Sequence, residues 1–245
     1  LSRLDVTRLL SSIERSRTRE PGGAATRPGA DPRPEADVWT MLPALDDEEL
    51  RMRLEARTDL GPDNAPRLAL MLARDGVRDL AARRLASLGR AAGAVLAGIV
   101  KDESADFVVR RRVAQVLAFI PGPEARDGLL AGLRANRFEV RYRCARALVQ
   151  RQKGGESLTG EMEEAVWAAI RQELSRGRAV WELARLLDDR EQDELARGRA
   201  AERGELSLEH VFRLLSLVRD REVIRAAWHG ITGDHDELGS LALEY

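Results

Sequence analysis

One nine-residue pattern recurs in register and constrains this chain more than any other feature. Val77-Arg78-Asp79-Leu80-Ala81-Ala82-Arg83-Arg84-Leu85, Val109-Arg110-Arg111-Arg112-Val113-Ala114-Gln115-Val116-Leu117 and Val140-Arg141-Tyr142-Arg143-Cys144-Ala145-Arg146-Ala147-Leu148 align without a gap, with starts 32 and 31 residues apart. Weaker echoes follow at Val180-Trp181 with Ala184 and at Leu238-Gly239 with Ala242. In each full copy the valine, the residue four on and the leucine eight on stack on one helical face. The small pair in the middle lets a neighbouring helix approach closely. A loop containing Asp75, Asp106 or Asn136 precedes each copy, and another amphipathic helix precedes the loop. One helical hairpin cannot bury such a face alone, so consecutive hairpins must stack. The expected fold is all-α, an α-α superhelix of about five to six helical hairpins. Composition agrees: aromatic residues make up only 4% of the chain, so the core rests on Leu, Ala and Val, a palette that favours helices over sheets.

Punctuation divides the chain. Residues 1–17 read as a short helix of an adjoining unit, with Leu4, Leu9 and Leu10 on its stripe. Residues 18–34 hold Pro21, Pro28, Pro32 and Pro34 with three glycines, and read as a flexible linker, because proline fixes φ and removes a donor. Residues 35–245 read as the helical solenoid. Asp46-Asp47-Glu48-Glu49 place acids where a helix start favours them, and Pro66, Gly89, Gly122 and Pro123 mark later breaks. The chain opens on Leu1, and an apolar helical pattern (Leu238, Leu241, Ala242, Tyr245) runs to its last residue. Both ends are therefore expected to be cut, the solenoid at its C-terminal side. The single cysteine excludes a disulfide framework and makes the cytoplasm the expected compartment. No apolar run approaches the ~20 residues of a spanning helix, and with no basic n-region followed by an apolar h-region no signal peptide is expected.

The aspartate-led V-R-x-x-A-A pattern resembles the second helix of a HEAT repeat, an armadillo-like unit, and Pro66 resembles the proline usual in the first helix. That resemblance implies partner binding along a concave face. A second resemblance rests on Asp106-Phe107-Val108-Val109-Arg110-Arg111-Arg112, Asp127–Leu133, Arg137–Leu148, Val180-Trp181-Glu182, Ser207–Leu217 and Leu241–Tyr245. Together these look like the HEAT-containing C-terminal regions of bacterial major-facilitator proteins related to ATP/ADP translocases. In that family the helical array would be the cytosolic arm of a transporter-like membrane protein.

No nucleotide-binding, hydrolase or metalloprotease motif is present, so no catalytic residue, cofactor or small-molecule substrate is assigned and the chain reads as a non-enzyme. Cys144 occupies the small core position of its copy and reads as a packed thiol. His229, Asp234, His235 and Asp236 are the only metal-type cluster, but Asp234 has an adequate role as a helix cap, so no metal site is assigned. His210 reads as a solvated or half-buried residue, and Trp167 as core.

The arginines carry the functional reading. Of 40 basic residues only Lys101 and Lys153 are lysine. The formal net charge of −1 argues against nucleic acid, yet it is unevenly spread. Segments 76–88, 105–119 and 137–151 carry +2, +2 and +4, whereas 35–60 and 188–209 carry −5 and −4. Arg78, Arg110 and Arg141 lie at the edge of the core face. The HEAT resemblance implies a structural ladder there, with Asp75 and Asp106 as loop partners. Arg83, Arg111, Tyr142 and Arg146 point away from the core face and form the candidate partner-binding strip, suited to an acidic protein surface or an attached membrane domain. The expected function is a protein–protein interaction or regulatory scaffold. The alternative is a HEAT-fold enzyme or nucleic-acid binder of the DNA-repair or bilin-lyase type.

Overall fold

The computed structural model describes residues 45–57, 60–188 and 194–232, with side chains described outside 178–202. The expected helix at 1–17, the linker at 18–34 and the final apolar pattern lie outside the described residues. Those described form ten α-helices and one short 3₁₀ turn, with no strand among them.

Helix α1 (Asp47–Ala56) starts as its acids require: Asp46 caps it by accepting from the Glu49 amide at 2.8 Å, and Asp47, Glu48 and Glu49 fill its first turn. A 3₁₀ turn at Pro62–Asn64 leads into α2 (Ala65–Met71), with Pro66 in its first turn, where a missing N–H costs nothing. Then follow α3 (Arg78–Ser87), α4 (Arg90–Lys101), α5 (Phe107–Leu117), α6 (Pro123–Gly132), α7 (Phe138–Lys153), α8 (Glu161–Asp188), α9 (Glu194–Val218) and α10 (Arg221–Thr232). The α5–α6 break is fixed by Gly122, whose φ of 108° suits only glycine, followed by Pro123 at the first helical position.

Consecutive helices pair: α2 with α3, α4 with α5, α6 with α7, α8 with α9. Each hairpin packs on the next through equivalent members. The first helices α2, α4, α6 and α8 follow one another on one side, and α3, α5, α7 and α9 on the other, with α1 against α3. The repeat predicts this arrangement residue by residue. Val77, Val109 and Val140, then Ala81, Val113 and Cys144, then Leu85, Leu117 and Leu148, are all buried. Gly128 and Gly132 on α6 let α4 and α7 come close: a Cβ at Gly132 would sit 2.8 Å from Val100 Cγ1 and, on the other side, against Cys144 Sγ. That sulfur is wholly buried, and burial pushes its thiol up to about 12, which keeps it protonated and inert.

Arginine ties the helices together. The carbonyls at a helix end have no partner within the helix, and a guanidinium fork can satisfy two at once. Arg110, 1% exposed, donates from Nε and Nη2 to Val100 O at the end of α4 and takes Glu103 in the following loop at 2.8 Å. Arg141 donates to Ala135 O and Asn136 O, both at 2.9 Å, and pairs with buried Glu173 of α8. Arg112 of α5 reaches back to Leu72 O and to Asp75 at 2.7 Å. Arg151 of α7 holds Leu117 O, Ile120 O and Gly122 O, and Arg84 of α3 holds Leu54 O and Glu55 O.

The ladder expectation is corrected in its partners. Asp106 does not receive an arginine, because it caps α5 by accepting from the amides of Val108 and Val109 at 2.7 and 3.1 Å. Asp75 is shared between Arg112 and, at 3.6 Å, Arg78. Arg78 itself is half-buried and bonds to its neighbour Asp79.

Candidate functional site: a cationic groove

Helix α10 departs from the alternating pattern. It packs on α9 and faces α7 and the end of α5 across a groove of about 550 Å³. The two walls differ in chemistry. On the α7 side stand Arg143, Arg146 and Lys153, which follow the helical spacings that put residues on one face. On the other side Phe212 of α9 meets Trp228 of α10 with ring centroids 5.3 Å apart, and Ile224 lies one turn before that indole. Phe119, 69% exposed, stands at the α5 end of the groove.

Charge in the groove is poorly compensated. Arg213 pairs with Glu209, and Arg225 with Glu222, each within its own helix. Arg143, Arg146, Lys153 and Arg221 have no ion pair among the described residues. Among the described lining residues Glu209 is the one acid, and its second oxygen already accepts from Tyr142 Oη at 2.8 Å. Partial burial, then the charges of Arg146 and Arg111, hold the Arg143 guanidinium below the ordinary arginine value. Like charges gathered this closely repel one another, and an anion brought among them relieves that repulsion.

The four strip residues separate. Arg146 is exposed and lines the groove. Arg111 is outside the groove lining, with its guanidinium 5.6 Å over the Phe107 ring. Arg83 is exposed on α3 and outside the groove lining. Tyr142 is half-buried rather than outward, with Arg213 4.7 Å over its ring and its hydroxyl held by Glu209. Sequence reasoning missed Arg143, Lys153, Arg221 and the whole α10 wall. The available signal was the amphipathic pattern Ile224, Ala227, Trp228, Ile231, which follows one face of α10.

Behind the groove lies a buried polar cluster. His210, with no exposed surface, sits edge-on to Phe138 at 5.5 Å and beside Tyr142 at 5.9 Å, and neither ring nitrogen has a hydrogen-bond partner. This corrects the expectation of a solvated or half-buried side chain. Trp167 packs partly buried against the core with Arg219 4.6 Å over it. Glu173 lies 4.0 Å from His210 Nε2, but its carboxylate is committed to Arg141. Burial first, then the charges of Arg141, Arg213 and Arg203, press the imidazole from 6.5 to about 3. A neutral imidazole in the fold means that only the unfolded chain takes up the proton between those values. Stability is therefore complete above pH 6.5 and falls as pH drops toward 3, by about 2 kcal/mol between pH 8 and pH 5. Urea midpoints at three pH values should show this slope in the native chain and a flatter profile in His210→Phe. An unchanged slope in that variant would refute the assignment to His210.

No group of three or more His, Cys, Asp or Glu able to hold a metal occurs among the described residues. His229 is exposed on α10, and Asp234, His235 and Asp236 lie outside the described residues. Among the described residues, no helix is long and apolar enough to cross a membrane. Among the described residues, fold and site together define an all-helical arrangement of paired, stacked hairpins with a cationic, apolar-walled groove. Compared with known protein families, curated proteins and solved structures, the chain matches none.

Proposed function

We propose that the chain is a non-enzymatic interaction module, a HEAT-type α-solenoid that holds an acidic, partly apolar segment of a protein partner in the groove between α7 and α10. The observation that carries this reading is the set of Arg143, Arg146, Lys153 and Arg221 without counter-charge among the described residues, facing Phe212, Ile224 and Trp228. The solenoid is supported by the in-register repeat and by the alternate packing of first and second helices. A peptide fits the groove's mixed chemistry better than nucleic acid does, because Phe119, Phe212, Ile224 and Trp228 offer apolar surface and Glu209 repels phosphate. The single buried cysteine supports a cytoplasmic setting, and the transporter-family resemblance adds a membrane-attached partner to those worth testing.

A fluorescent peptide with leucines at helical spacing and glutamates between them tests the groove. It should bind the chain, weaken steeply as salt rises toward ~0.3 M, and lose at least about tenfold in affinity to the double variant Arg143→Glu, Arg146→Glu. The melting temperature of that variant should hold or rise, since the exchange removes like-charge repulsion. Unchanged binding, or equal affinity for single-stranded RNA of the same charge, would overturn the reading.

A further inference from the structure

We propose that the partner's acidic segment runs on past the groove and sets further carboxylates at Phe107, where Arg111 and Arg137 gather over its ring, so that the chain holds the segment at two points. The inference rests on the groove reading above and adds where the bound segment leaves the groove.

The second point is built at the start of α5. Phe107 is the first residue of that helix and is 39% exposed, so it offers apolar surface that a bound segment can cover. Two guanidiniums stand over its ring, Arg111 at 5.6 Å and Arg137, the residue before α7, at 5.4 Å from the centroid. Neither has an ion pair among the described residues. A guanidinium held over a ring keeps its in-plane N–H donors for a carboxylate. The chain's own acids nearby are turned elsewhere. Asp106 caps α5, Glu103 accepts from Arg110 and from the Asn136 amide, and the charge of Glu139 acts on Arg203.

Position links this point to the groove. Phe107, Arg111 and Gln115 follow at four-residue intervals along one side of α5, and Gln115 lines the groove. From Phe107 to Gln115 is eight residues, ~12 Å of helix, a distance that about four extended residues of a bound chain cover. Arg111 also lies close enough to Arg143 in the groove wall for its charge to be felt there. The cationic surface therefore continues from the groove to Phe107. Both points join exposed aromatic surface to arginines without counter-charge, so one acidic, partly apolar segment complements both. Once such a segment is held in the groove, its second contact forms at a millimolar effective concentration, and even a weak one adds about tenfold in affinity.

Peptides of two lengths test this on the full chain. The fluorescent probe described above reaches the groove alone. Two longer versions carry a four-residue Gly/Ser spacer and two glutamates, at the N-terminal end in one and at the C-terminal end in the other. At least one should bind about tenfold tighter than the unextended probe. Phe107→Ala with Arg137→Glu should erase that gain while changing the affinity of the unextended probe by less than about threefold. If the double variant does not fold, Arg137→Glu alone carries the test, because an acid before α7 suits the start of a helix. With lysines in place of the added glutamates, the preference of the native chain for the acidic extension should fall about tenfold in Arg137→Glu at an unchanged melting temperature. No gain from either extension, or a gain that survives in these variants, overturns the second contact and leaves the groove reading standing. No binding of the unextended probe overturns the groove reading and this inference with it.

Discussion

Arg141→Met should cost about 3–5 kcal/mol of folding stability, among the largest effects of any single substitution in the chain. Both members of the Arg141–Glu173 pair are nearly sealed from solvent, at 5% and 2% exposure. Removing the guanidinium leaves a carboxylate buried without its partner and strips the donors from Ala135 O and Asn136 O. Arg176 approaches Glu173 at 4.0 Å but stands partly exposed at the edge, so it replaces little of what is lost. Changing both residues, Arg141→Met with Glu173→Leu, should recover most of the loss, because an apolar pair needs no partner. A urea-denaturation cycle of the two single variants and the double variant measures the coupling. A single-variant cost under about 1 kcal/mol would show that the pair is effectively solvated. The same variant should also lift the His210 imidazole above its depressed value, since Arg141 contributes to that depression and Glu173 becomes free to receive the proton's charge. Titration of His210 by NMR would detect this even where stability is hard to measure.

Gly128→Val should also be severe, and for a reason independent of charge. A Cβ at Gly128 would lie 2.5 Å from Ala97 Cβ and 2.8 Å from Ala97 Cα, so the obstacle includes backbone that cannot rotate away. Helices α4 and α6 would have to separate along their whole contact. Gly128→Ala should cost about 1–3 kcal/mol, against the ~1 kcal/mol that alanine normally gains over glycine inside a helix. Valine should cost more still. Gly98 on α4 is the internal control: a Cβ there meets nothing within 4 Å, so Gly98→Ala should stabilise by ~0.5–1 kcal/mol. Thermal unfolding of the three variants would decide it, and a neutral Gly128→Ala would mean that the close approach of α4 and α6 is not required.

Much of this architecture was legible in the residues because it depends on local periodicity. Val109, Val113 and Leu117 share a helical face whatever surrounds them, and the same reasoning placed their counterparts on α3 and α7. The proline and glycine breaks at 66, 89, 122 and 123 likewise act through their own backbone. The site was less legible because it depends on contacts distant in sequence. Tyr142 looked outward on its own helix, and only the arrival of α9, with Glu209 and Arg213, encloses it. His210 gave no sign of full burial, since a histidine beside a glutamate is commonly wet. The arginines could be ordered around each helix, but not sorted into those that satisfy carbonyls of another helix and those that do not. Arg112 and Arg143 look alike in the sequence. One is bonded to Leu72 and Asp75, and the other is crowded by its own kind.

Those long-range arginine bonds change what counts as a unit of this fold. Arg112 closes the end of α2 from one hairpin further along, Arg151 closes the end of α5 in the same manner, and Gln152 of α7 reaches Leu217 O at the end of α9. Three of the four hairpins therefore keep part of their own closure in a neighbour. A chain cut at a loop would preserve every helix yet leave carbonyls bare at the cut, so the tidy boundary between hairpins is the wrong place for scissors. Such lacing couples hairpins that nearest-neighbour packing alone would leave nearly independent. Unfolding should accordingly spread across several hairpins in one cooperative step rather than peel them away singly, and hydrogen exchange of α2, α5 and α7 amides should report one common opening free energy.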